Sequence, residues 1–425
     1  MTSERTEAAV TNEQSESVSN STSPVDVKNT TGRGKKLMII AGDVSADKHV
    51  GLVLERLKKQ APELEIWGGI GGERMKAAGV EFIYDLREMN SIGLTEVLAD
   101  LPKVFKRLSD LVNSIKERKP DVLMLVDFGG FNLRVAKRVR KEIPNQKIIY
   151  FISPQVWASR PYRIQTIAEN ISKMLVILPF EEELYKARGV DAKFIGHPLT
   201  QQVPKTSQLQ GREEFAKAYG LDPSKPIVAV LPGSRKQEIR QHLSMCLRAI
   251  EELHEERPDT QFVISKAGEE LTALFNAAHG KARTEKALGK NLVYIDGRDN
   301  YNLFNNADVI WAKSGTTTLE VSFFGKPMLI FYRGSWLSYG IVVIGKTVKN
   351  VGLPNILAGR TLVPELLQLD CRPQQLVRYT RDLLDVPGLR KEISAELKDL
   401  RRSLGDNDYI TACTNEVLET LEVSN

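Results

Sequence analysis

Short apolar runs alternate with longer segments of helical periodicity along most of the chain. The first run, at residues 35–41, ends at Gly42, and apolar positions three and four residues apart follow it. A buried run that ends at a glycine is typical of a parallel strand opening into a loop. This order of elements predicts a doubly wound α/β sheet. Further strands of this sheet are expected at 64–67, 122–126, 148–152 and 174–178.

The same alternation begins again after a polar stretch at residues 200–211. It indicates two Rossmann-like domains, at 35–200 and 201–363. The charged segment 364–425 is helical in pattern, and we expect it to contain no strand and to pack on one domain or on a partner subunit. In the second domain, strands are expected at 227–231, 261–265, 292–295, 309–311 and 328–331.

Composition excludes several classes of protein. Residues 1–34 almost lack large apolar side chains, which predicts a disordered tail, and they lack the basic start and apolar run of a secretory signal. The net charge of +5 over 425 residues is too small to suggest nucleic-acid binding. Cys246, Cys371 and Cys413 are far apart, which argues against disulfides and a zinc site. The sequence contains no run of about 20 apolar residues, so it predicts no membrane span.

The basic residues concentrate in one region. Residues 101–141 contain eleven Lys or Arg and four Asp or Glu. A basic and apolar helix of this kind rests on an anionic bilayer, or it packs its apolar face on the core. Beside or within this region lies an amphipathic stretch with Ile92, Leu94, Val97, Leu98, Leu101 and Phe105, alongside Lys103, Lys106 and Arg107.

Two turns in the second domain have the residues of an anion site. Gly233, Ser234 and Arg235 follow one expected strand, where a glycine lets backbone amides approach a phosphate and arginine offers a bidentate fork. An ordinary turn with a surface arginine is the alternative. A second turn has Ser314, Gly315 and Thr316, with Glu320 placed to accept ribose hydroxyls, although such residues also serve as helix N-caps. Two such turns suit a diphosphate and therefore a nucleotide.

Carboxylates follow two strands of the first domain. Asp43, with Ser45 and His49 close behind, follows the first strand, and Asp127 ends the strand at 122–126. A carboxylate at a strand end is a general-base candidate, and helix capping is the alternative for Asp127.

Further polar and aromatic residues follow later strands of the first domain. Gln155 and Trp157 suit sugar binding, although Trp157 equally suits the core. His197, at the expected domain junction, is a hinge residue or a sugar contact.

Taken together, these segments resemble the lipid A disaccharide synthase family, from about Lys36 to the end of the chain and in the family's motif order. The matching segments are Arg74 and Met75 after a glycine turn, 153–158, 178–181, 195–198, 231–235, 314–316 with Glu320, 332–333 and 353–360.

The resemblance implies a GT-B fold, with two Rossmann-like domains that face a central cleft and C-terminal helices that cross back to the first domain. It implies inverting transfer of 2,3-diacylglucosamine from its UDP derivative to 2,3-diacylglucosamine 1-phosphate, without metal or cofactor. It places the protein on the inner face of the cytoplasmic membrane, with the amphipathic stretch as the docking surface. A homodimer through exchanged C-terminal helices is also implied. The implied UDP contacts are Gly233, Ser234, Arg235, Ser314, Gly315, Thr316, Glu320 and Asn355.

The sequence departs from the family at its catalytic loops. Asp43 stands where the family has glutamate, and Ala46 where it has glycine. Gly130 replaces the aspartate that is the family's proposed base. Either Asp127 or Asp43 then acts as the base, with His49 nearby, or the chain is a weakened or non-catalytic relative. Another UDP-sugar enzyme of the same fold, such as an epimerase, is the third hypothesis.

Overall fold

The computed structural model describes residues 34–89, 101–159, 162–334 and 349–422. Within these ranges the strands form two parallel sheets, of seven and six strands. The first sheet has the order β3-β2-β1-β4-β5-β6-β7 and the second the order β10-β9-β8-β11-β12-β13. The strands of the first sheet are β1 (Lys36–Ala41), β2 (Glu65–Gly71), β3 (Phe82–Asp85), β4 (Val122–Val126), β5 (Lys147–Phe151), β6 (Lys173–Val176) and β7 (Ala192–Phe194). Those of the second are β8 (Ile227–Leu231), β9 (Gln261–Lys266), β10 (Leu292–Asp296), β11 (Val309–Lys313), β12 (Met328–Tyr332) and β13 (Glu365–Leu367).

Helices connect the strands and cover both faces of each sheet, as parallel sheets require. In the first half they are α1 (Val44–Gln60), α2 (Glu73–Ala77), α3 (Leu86–Met89), α4 (Leu101–Arg118), α5 (Gly129–Glu142), α6 (Val156–Ser159), α7 (Arg163–Asn170), α8 (Pro179–Lys186) and α9 (Leu199–Gln202). In the second half they are α10 (Arg212–Tyr219), α11 (Lys236–Glu256), α12 (Thr272–Asn276), α13 (Lys281–Leu288), α14 (Asn300–Asn306), α15 (Thr317–Phe323), α16 (Leu353–Ala358), α17 (Pro373–Asp385), α18 (Pro387–Ser403) and α19 (Tyr409–Glu422). Short 3-10 turns lie at Thr206–Gln208, Glu269–Leu271, Gly289–Asn291 and Gly297–Asp299.

The strand order reverses at one point in each sheet. In the first sheet the chain moves outward from β1 through β2 to β3 and then resumes at β4, on the other side of β1. The second sheet reverses in the same way between β8 and β11. In open α/β sheets, ligands bind at such reversals, beyond the carboxyl ends of the strands. The four loops that follow β1, β4, β8 and β11 are therefore where the fold places a site.

The C-terminal segment divides between the two sheets. Helix α19 packs on α1 and the first sheet, and its Tyr409, Cys413 and Val417 belong to the same buried cluster as Val50 and Leu54 of α1. Glu416 of α19 forms ion pairs with Lys173 (2.7 Å) and Lys193, which lie on β6 and β7. The last helix thus crosses back to the first sheet.

Helices α17 and α18 remain with the second sheet. Helix α17 packs on α11, and Trp311 of β11 donates a 2.7 Å hydrogen bond to Thr380 of α17. Helix α18 packs on α15. The expectation of no strand after residue 363 was wrong, because Glu365–Leu367 pairs with β12 as an edge strand. Three residues with one fully buried leucine give too short a pattern for recognition in the sequence.

Candidate active site

The turn between β8 and α11 is shaped by an internal carboxylate. Gly233 has a φ of +128°, and a Cβ there would lie 2.6 Å from the Cβ of Glu238. The Glu238 carboxylate accepts hydrogen bonds from the backbone N–H groups of Ser234 (3.0 Å) and Arg235 (3.2 Å). The sequence predicts that backbone amides of this turn bind a phosphate. In the structure the Ser234 and Arg235 amides are hydrogen-bonded to Glu238 instead. The exposed Arg235 side chain is what this turn presents for binding an anion.

Lys313 adds a second cation at the end of β11. Its Nζ lies 2.8 Å from Glu238 Oε1, with side-chain exposures of 18% for Lys313 and 11% for Glu238. Burial alone would raise the pKa of the Glu238 carboxyl, but the hydrogen bond and charge of Lys313 and the hydrogen bonds from the Ser234 and Arg235 N–H groups together lower it. The ammonium also lies 5.5 Å from the ring centre of Tyr332. Sequence reasoning assigned no role to Glu238 or to Lys313, although Lys313 directly precedes the Ser314–Thr316 turn.

His242 joins this turn to the end of β12. It is fully buried, its Nδ1 donates to the Pro232 carbonyl (3.1 Å), and its Nε2 accepts from the Arg333 backbone N–H (3.0 Å). Burial lowers the pKa of this histidine, which keeps it neutral. The β8 and β12 ends are thereby fixed on either side of β11.

These turns enclose a cleft of about 570 Å³. Side chains from the loops after β8 and β11 line it, and Gln155 reaches it from the first sheet. The cleft therefore lies between the two sheets. Its lining is Gln155, Leu231, Gly233, Ser234, Arg235, Glu238, Ser265, Ala267, Asn300, Lys313, Ser314, Gly315, Thr316, Thr317, Asn350, Val351, Leu353 and Ile356.

Five of the expected nucleotide and sugar contacts do not line the cleft: Ser45, Trp157, His197, Glu320 and Asn355. Asn355 is fully buried. Its Nδ2 donates to the Val363 carbonyl and to Glu365 (2.8 Å each), and its Oδ1 accepts from the N–H groups of Leu362 and Val363. Asn355 therefore stabilises a turn, which corrects its expected role as a UDP contact. Trp157 is likewise corrected to a core residue.

The surroundings of Trp157 and Glu320 show why neither lines the cleft. Trp157 is buried beside Phe180, and its indole N–H donates to Glu181 (2.9 Å). Glu320 is hydrogen-bonded to Tyr301, and burial raises the pKa of its carboxyl although Lys48 of the first sheet opposes the shift.

Asp127 has an unusual backbone conformation. Asp127 and Phe128 have φ values of +46° and +51°, the left-handed region that costs most side chains energy. Gly42 makes room for this loop, because a Cβ there would lie 2.2 Å from the Phe128 ring. Asp127 Oδ1 accepts a hydrogen bond from the Phe128 N–H (2.7 Å). Burial, with a smaller contribution from the Asp43 charge, raises the pKa of Asp127 to about 6.

Asp43 begins the neighbouring helix. Its Oδ1 accepts a 2.8 Å hydrogen bond from the Ala46 N–H and caps α1. Val44 and Ser45, the next two residues, are exposed. Asp47, which sequence reasoning passed over, is buried and accepts hydrogen bonds from the N–H groups of Gly72, Arg74 and Met75. Asp47 thus joins the β1 loop to the glycine turn after β2.

His49 and His197 are interior residues. His49 Nδ1 lies 3.0 Å from the Tyr409 hydroxyl of α19, and His197 Nδ1 accepts from the Leu199 N–H (3.1 Å). Burial lowers the pKa of each to about 4. Both are neutral at physiological pH, and His197 holds the start of α9 instead of lining the cleft.

The basic, amphipathic stretch is described only in part. Ile92, Leu94, Val97 and Leu98 lie outside the described residues, and Leu101 begins α4. The remainder of α4 buries Leu108, Leu111 and Ile115 against the first sheet, while Phe105 is 61% exposed. Among its basic residues, Arg107 donates to the Glu88 carbonyl (3.1 Å), and Lys103 and Lys106 lie close to Phe105 in the helix.

Two kinds of feature are absent from the described residues. No helix in them is long and apolar enough to cross a membrane. No group of three or more His, Cys, Asp or Glu side chains in the same ranges is arranged to hold a metal ion.

A family model described as lipid-A-disaccharide synthetase matches residues 37–405. The chain belongs to the lipid-A-disaccharide synthase family. Members of this family are glycosyltransferases of lipid A biosynthesis. A lipid-A-disaccharide synthase of Myxococcus xanthus is 35% identical over 91% of this chain and 97% of its own length. One of Anaeromyxobacter dehalogenans is 37% identical over 90% and 97%, and a Legionella pneumophila synthase is 36% identical over 88% and 94%.

Solved structures support the fold of this lipid-A-disaccharide synthase relative. A UDP-GlcNAc 2-epimerase from Neisseria meningitidis bound to UDP-GlcNAc has a TM-score of 0.59 at 12% identity, covering 90% of this chain and all of its own. A glycosyltransferase from Rickettsia africae has a TM-score of 0.53 at 14% identity, covering 92% and 99%. The expected GT-B architecture is confirmed.

Gly130 stands where the family resemblance implies an aspartate. It is exposed in the first turn of α5, and a Cβ at this position would meet no atom within 4 Å. The adjacent Gly129 differs, because a Cβ there would lie 2.4 Å from the Pro154 side chain. A side chain can therefore begin at position 130 without a clash, and the packing of the protein does not explain why a glycine stands there.

Proposed function

We propose that this member of the lipid-A-disaccharide synthase family transfers 2,3-diacylglucosamine from UDP-2,3-diacylglucosamine to 2,3-diacylglucosamine 1-phosphate. The products are the β-1,6-linked disaccharide 1-phosphate and UDP. One observation carries the proposal: Arg235 and Lys313 line a cleft at the reversal of strand order in the second sheet, and Gln155 of the first sheet also lines it. A diphosphate leaving group needs such cations where its charge develops.

The second sheet holds the nucleotide in this proposal. Arg235 offers two N–H donors to a phosphate, and Lys313 supplies a point charge beside it. The hydroxyls of Ser314 and Thr316 provide further donors from the opposite turn. Glu238 does not bind the ligand; it fixes the Arg235 backbone and the position of Lys313.

The first sheet supplies the base. As the acceptor 6-oxygen forms a bond to the donor C1, the bond from C1 to the UDP oxygen breaks, and Asp127 takes the hydroxyl proton. A base is most effective when its pKa lies near the working pH, and the Asp127 pKa of about 6 leaves it mostly ionised at pH 7. Attack from the face opposite UDP inverts the anomeric carbon.

We also propose that α4 docks on an anionic membrane surface on the inner face of the cytoplasmic membrane. The exposed Phe105 supplies an apolar contact, and the basic residues of α4 and α5 supply the charge. Binding to vesicles should then require anionic lipid and weaken as salt is added. Binding that is indifferent to both would contradict docking.

Gly130 favours one alternative function, a relative that binds UDP without turnover. The purified full chain in detergent, supplied with both substrates, separates the two. Disaccharide and UDP formed in equal amounts support transfer. UDP binding without disaccharide supports the non-catalytic alternative, and then Gly130→Asp should gain activity. Exchange of the donor C2 proton with solvent deuterium would instead indicate an epimerase.

The nucleotide assignment has its own test in the two cations of the cleft. We expect Arg235→Gln and Lys313→Gln each to weaken UDP binding about tenfold, which corresponds to about 1.4 kcal/mol. Calorimetry measures this directly. Arg188→Gln and Lys290→Gln, exposed and outside the cleft lining, are the matched controls and should leave the UDP affinity unchanged. Equal UDP affinity in the cleft variants and the controls would show that Arg235 and Lys313 do not bind UDP.

A further inference from the structure

A second pocket lies at the opposite end of the second sheet. It has a volume of about 590 Å³, and residues that precede β11 and β12 line it together with one face of α18. Because the cleft follows the carboxyl ends of these parallel strands, the second pocket lies at their amino ends. Its charged lining residues are Asp308, Lys326, Arg390, Lys391, Lys398, Asp399 and Arg402. We call it the basic pocket.

Both carboxylates of the basic pocket are already paired. Asp308 accepts from Arg212 (3.0 Å) and from the Ile227 N–H (2.8 Å). Asp399 is bonded to Arg402 (2.5 Å). The acidic side chains therefore offer little to the remaining cations of the lining.

Four cations remain without such a partner. Within the described part of the chain, no ion pair or side-chain hydrogen bond involves Lys326, Arg390, Lys391 or Lys398. Natural surfaces usually disperse charges of one sign, because like charges that converge repel one another. A concave site in which four cations converge is instead suited to a ligand with several negative charges.

Lys326 is the strongest indication that the site is built for an anion. It follows Gly325, whose φ of +60° brings the turn against α18, where a Cβ would lie 2.9 Å from Lys398. Burial lowers the pKa of Lys326, and the charges of Arg212 and Lys398 lower it further, against the opposing effect of Asp308. A partly buried ammonium beside other cations is costly unless an anion accompanies it.

We propose that the basic pocket binds a phosphate-bearing anion with two or more negative charges, at a site separate from the cleft. Phosphate oxygens suit both the arginine fork and the lysine ammoniums. The phosphate can belong to a free oligophosphate or to a phospholipid headgroup. The proposal does not depend on transferase activity, because none of the four cations lines the cleft.

Lysine acylation followed by mass spectrometry tests the pocket in the full chain. Inorganic pyrophosphate is one probe, and vesicles with phosphatidic acid, against vesicles of phosphatidylcholine alone, are the other. Ionic strength is held constant with sodium chloride. We expect one probe to protect Lys326, Lys391 and Lys398 from acylation in a saturable way, by at least fivefold, and the probe that protects identifies the source of the phosphate.

Two variants localise the effect. The double variant Lys391→Gln and Lys398→Gln should weaken binding of the protecting probe, measured by protection of Lys326, at least tenfold. Lys286→Gln with Lys290→Gln removes the same charge from exposed positions outside the pocket and should leave this protection unchanged. Lys326→Met should fold normally and also lose protection at Lys391 and Lys398. No protection by either probe, or equal protection in the double variant and its control, would overturn the proposal.

Discussion

At the scale of single residues, Asp127 carries the strongest signs of a functional position. Two successive non-glycine residues in the left-handed region cost about 1–3 kcal/mol each, and such strain persists where the surroundings enforce it. Here the Phe128 ring packs directly against Gly42, and this contact holds the loop. The loop gives Asp127 a partly buried position near the charge of Asp43, and both effects raise its pKa.

The pH dependence of kcat/KM tests that environment. Only ionised Asp127 can accept a proton, so activity should fall as the pH drops through about 6. Asp43→Asn removes a negative charge that raises the Asp127 pKa, while its side-chain oxygen can still cap α1. We therefore expect the acid limb to move to lower pH in this variant.

Asp406→Asn, an exposed aspartate, is the control for that experiment and should leave the limb in place. An acid limb that does not move in Asp43→Asn would show that the charge of Asp43 does not raise the pKa of Asp127. Complete loss of activity in Asp43→Asn at every pH would make Asp43 the base instead.

At the scale of elements, the loops after β8 and β11 line the cleft, and the loops after β1 and β4 carry Asp43 and the proposed base Asp127. The apolar runs predicted these strands and their helices, because fully buried parallel strands leave a continuous apolar signal. The turn residues Ser234, Arg235 and Ser314 were found in the same way. Their neighbours Glu238 and Lys313 were missed, since their ion pair joins two elements separated by 75 positions in the chain.

Contacts between distant positions explain the remaining errors. The family resemblance implied a ligand contact for Asn355, and the sequence does not show that its amide is hydrogen-bonded by residues 362–365. Trp157 was open between core and sugar binding, and only packing against Phe180 and Glu181 decides it. Sequence pattern predicts elements and strand ends, whereas the use of each polar side chain depends on tertiary neighbours.

Two adjacent glycines at the start of α5 give a matched prediction. Gly130→Ala should stabilise the protein by about 0.5–1 kcal/mol, because alanine favours the helix and its Cβ meets no atom. Gly129→Ala should destabilise it, because its Cβ would lie 2.4 Å from Pro154. Urea unfolding of both variants measures the difference. Equal effects of the two substitutions would contradict the packing of the β4 and β5 loops.

At the scale of the whole molecule, the last helix packs the end of the chain against the first sheet. Tyr409 of α19 contacts His49, two residues after Asp47, which holds the glycine turn. Glu416 ties the same helix to β6 and β7. The docking of α19 is thus part of what holds the first-sheet loops in place.

The two interior histidines make folding stability depend on pH. Their folded pKa values of about 4 lie below the unfolded value of 6.5, so between these pH values the unfolded chain binds protons that the folded chain does not. Their stabilising contribution is complete above pH 6.5 and is lost as pH falls toward 4. At about 1.4 kcal/mol per pKa unit, it amounts to about 3 kcal/mol per histidine at most.

His197→Asn tests this linkage, because its side-chain oxygen can replace Nδ1 as the acceptor for Leu199. We expect the variant to lose less stability than the natural protein between pH 7 and pH 5 in urea unfolding. His279→Asn, an exposed histidine, is the control and should keep the natural slope. The same slope in His197→Asn and the natural protein would show that His197 titrates normally in the fold.

In the proposed function the second sheet holds UDP, and Asp127 on the first sheet acts as the base. Asp127→Asn tests it most directly, because asparagine tolerates the left-handed conformation and differs mainly in being unable to accept the proton. UDP affinity and disaccharide formation are measured on the same purified protein. We expect a UDP affinity within about twofold of the natural protein and turnover lowered at least about 100-fold. Turnover within about threefold of the natural protein would contradict it.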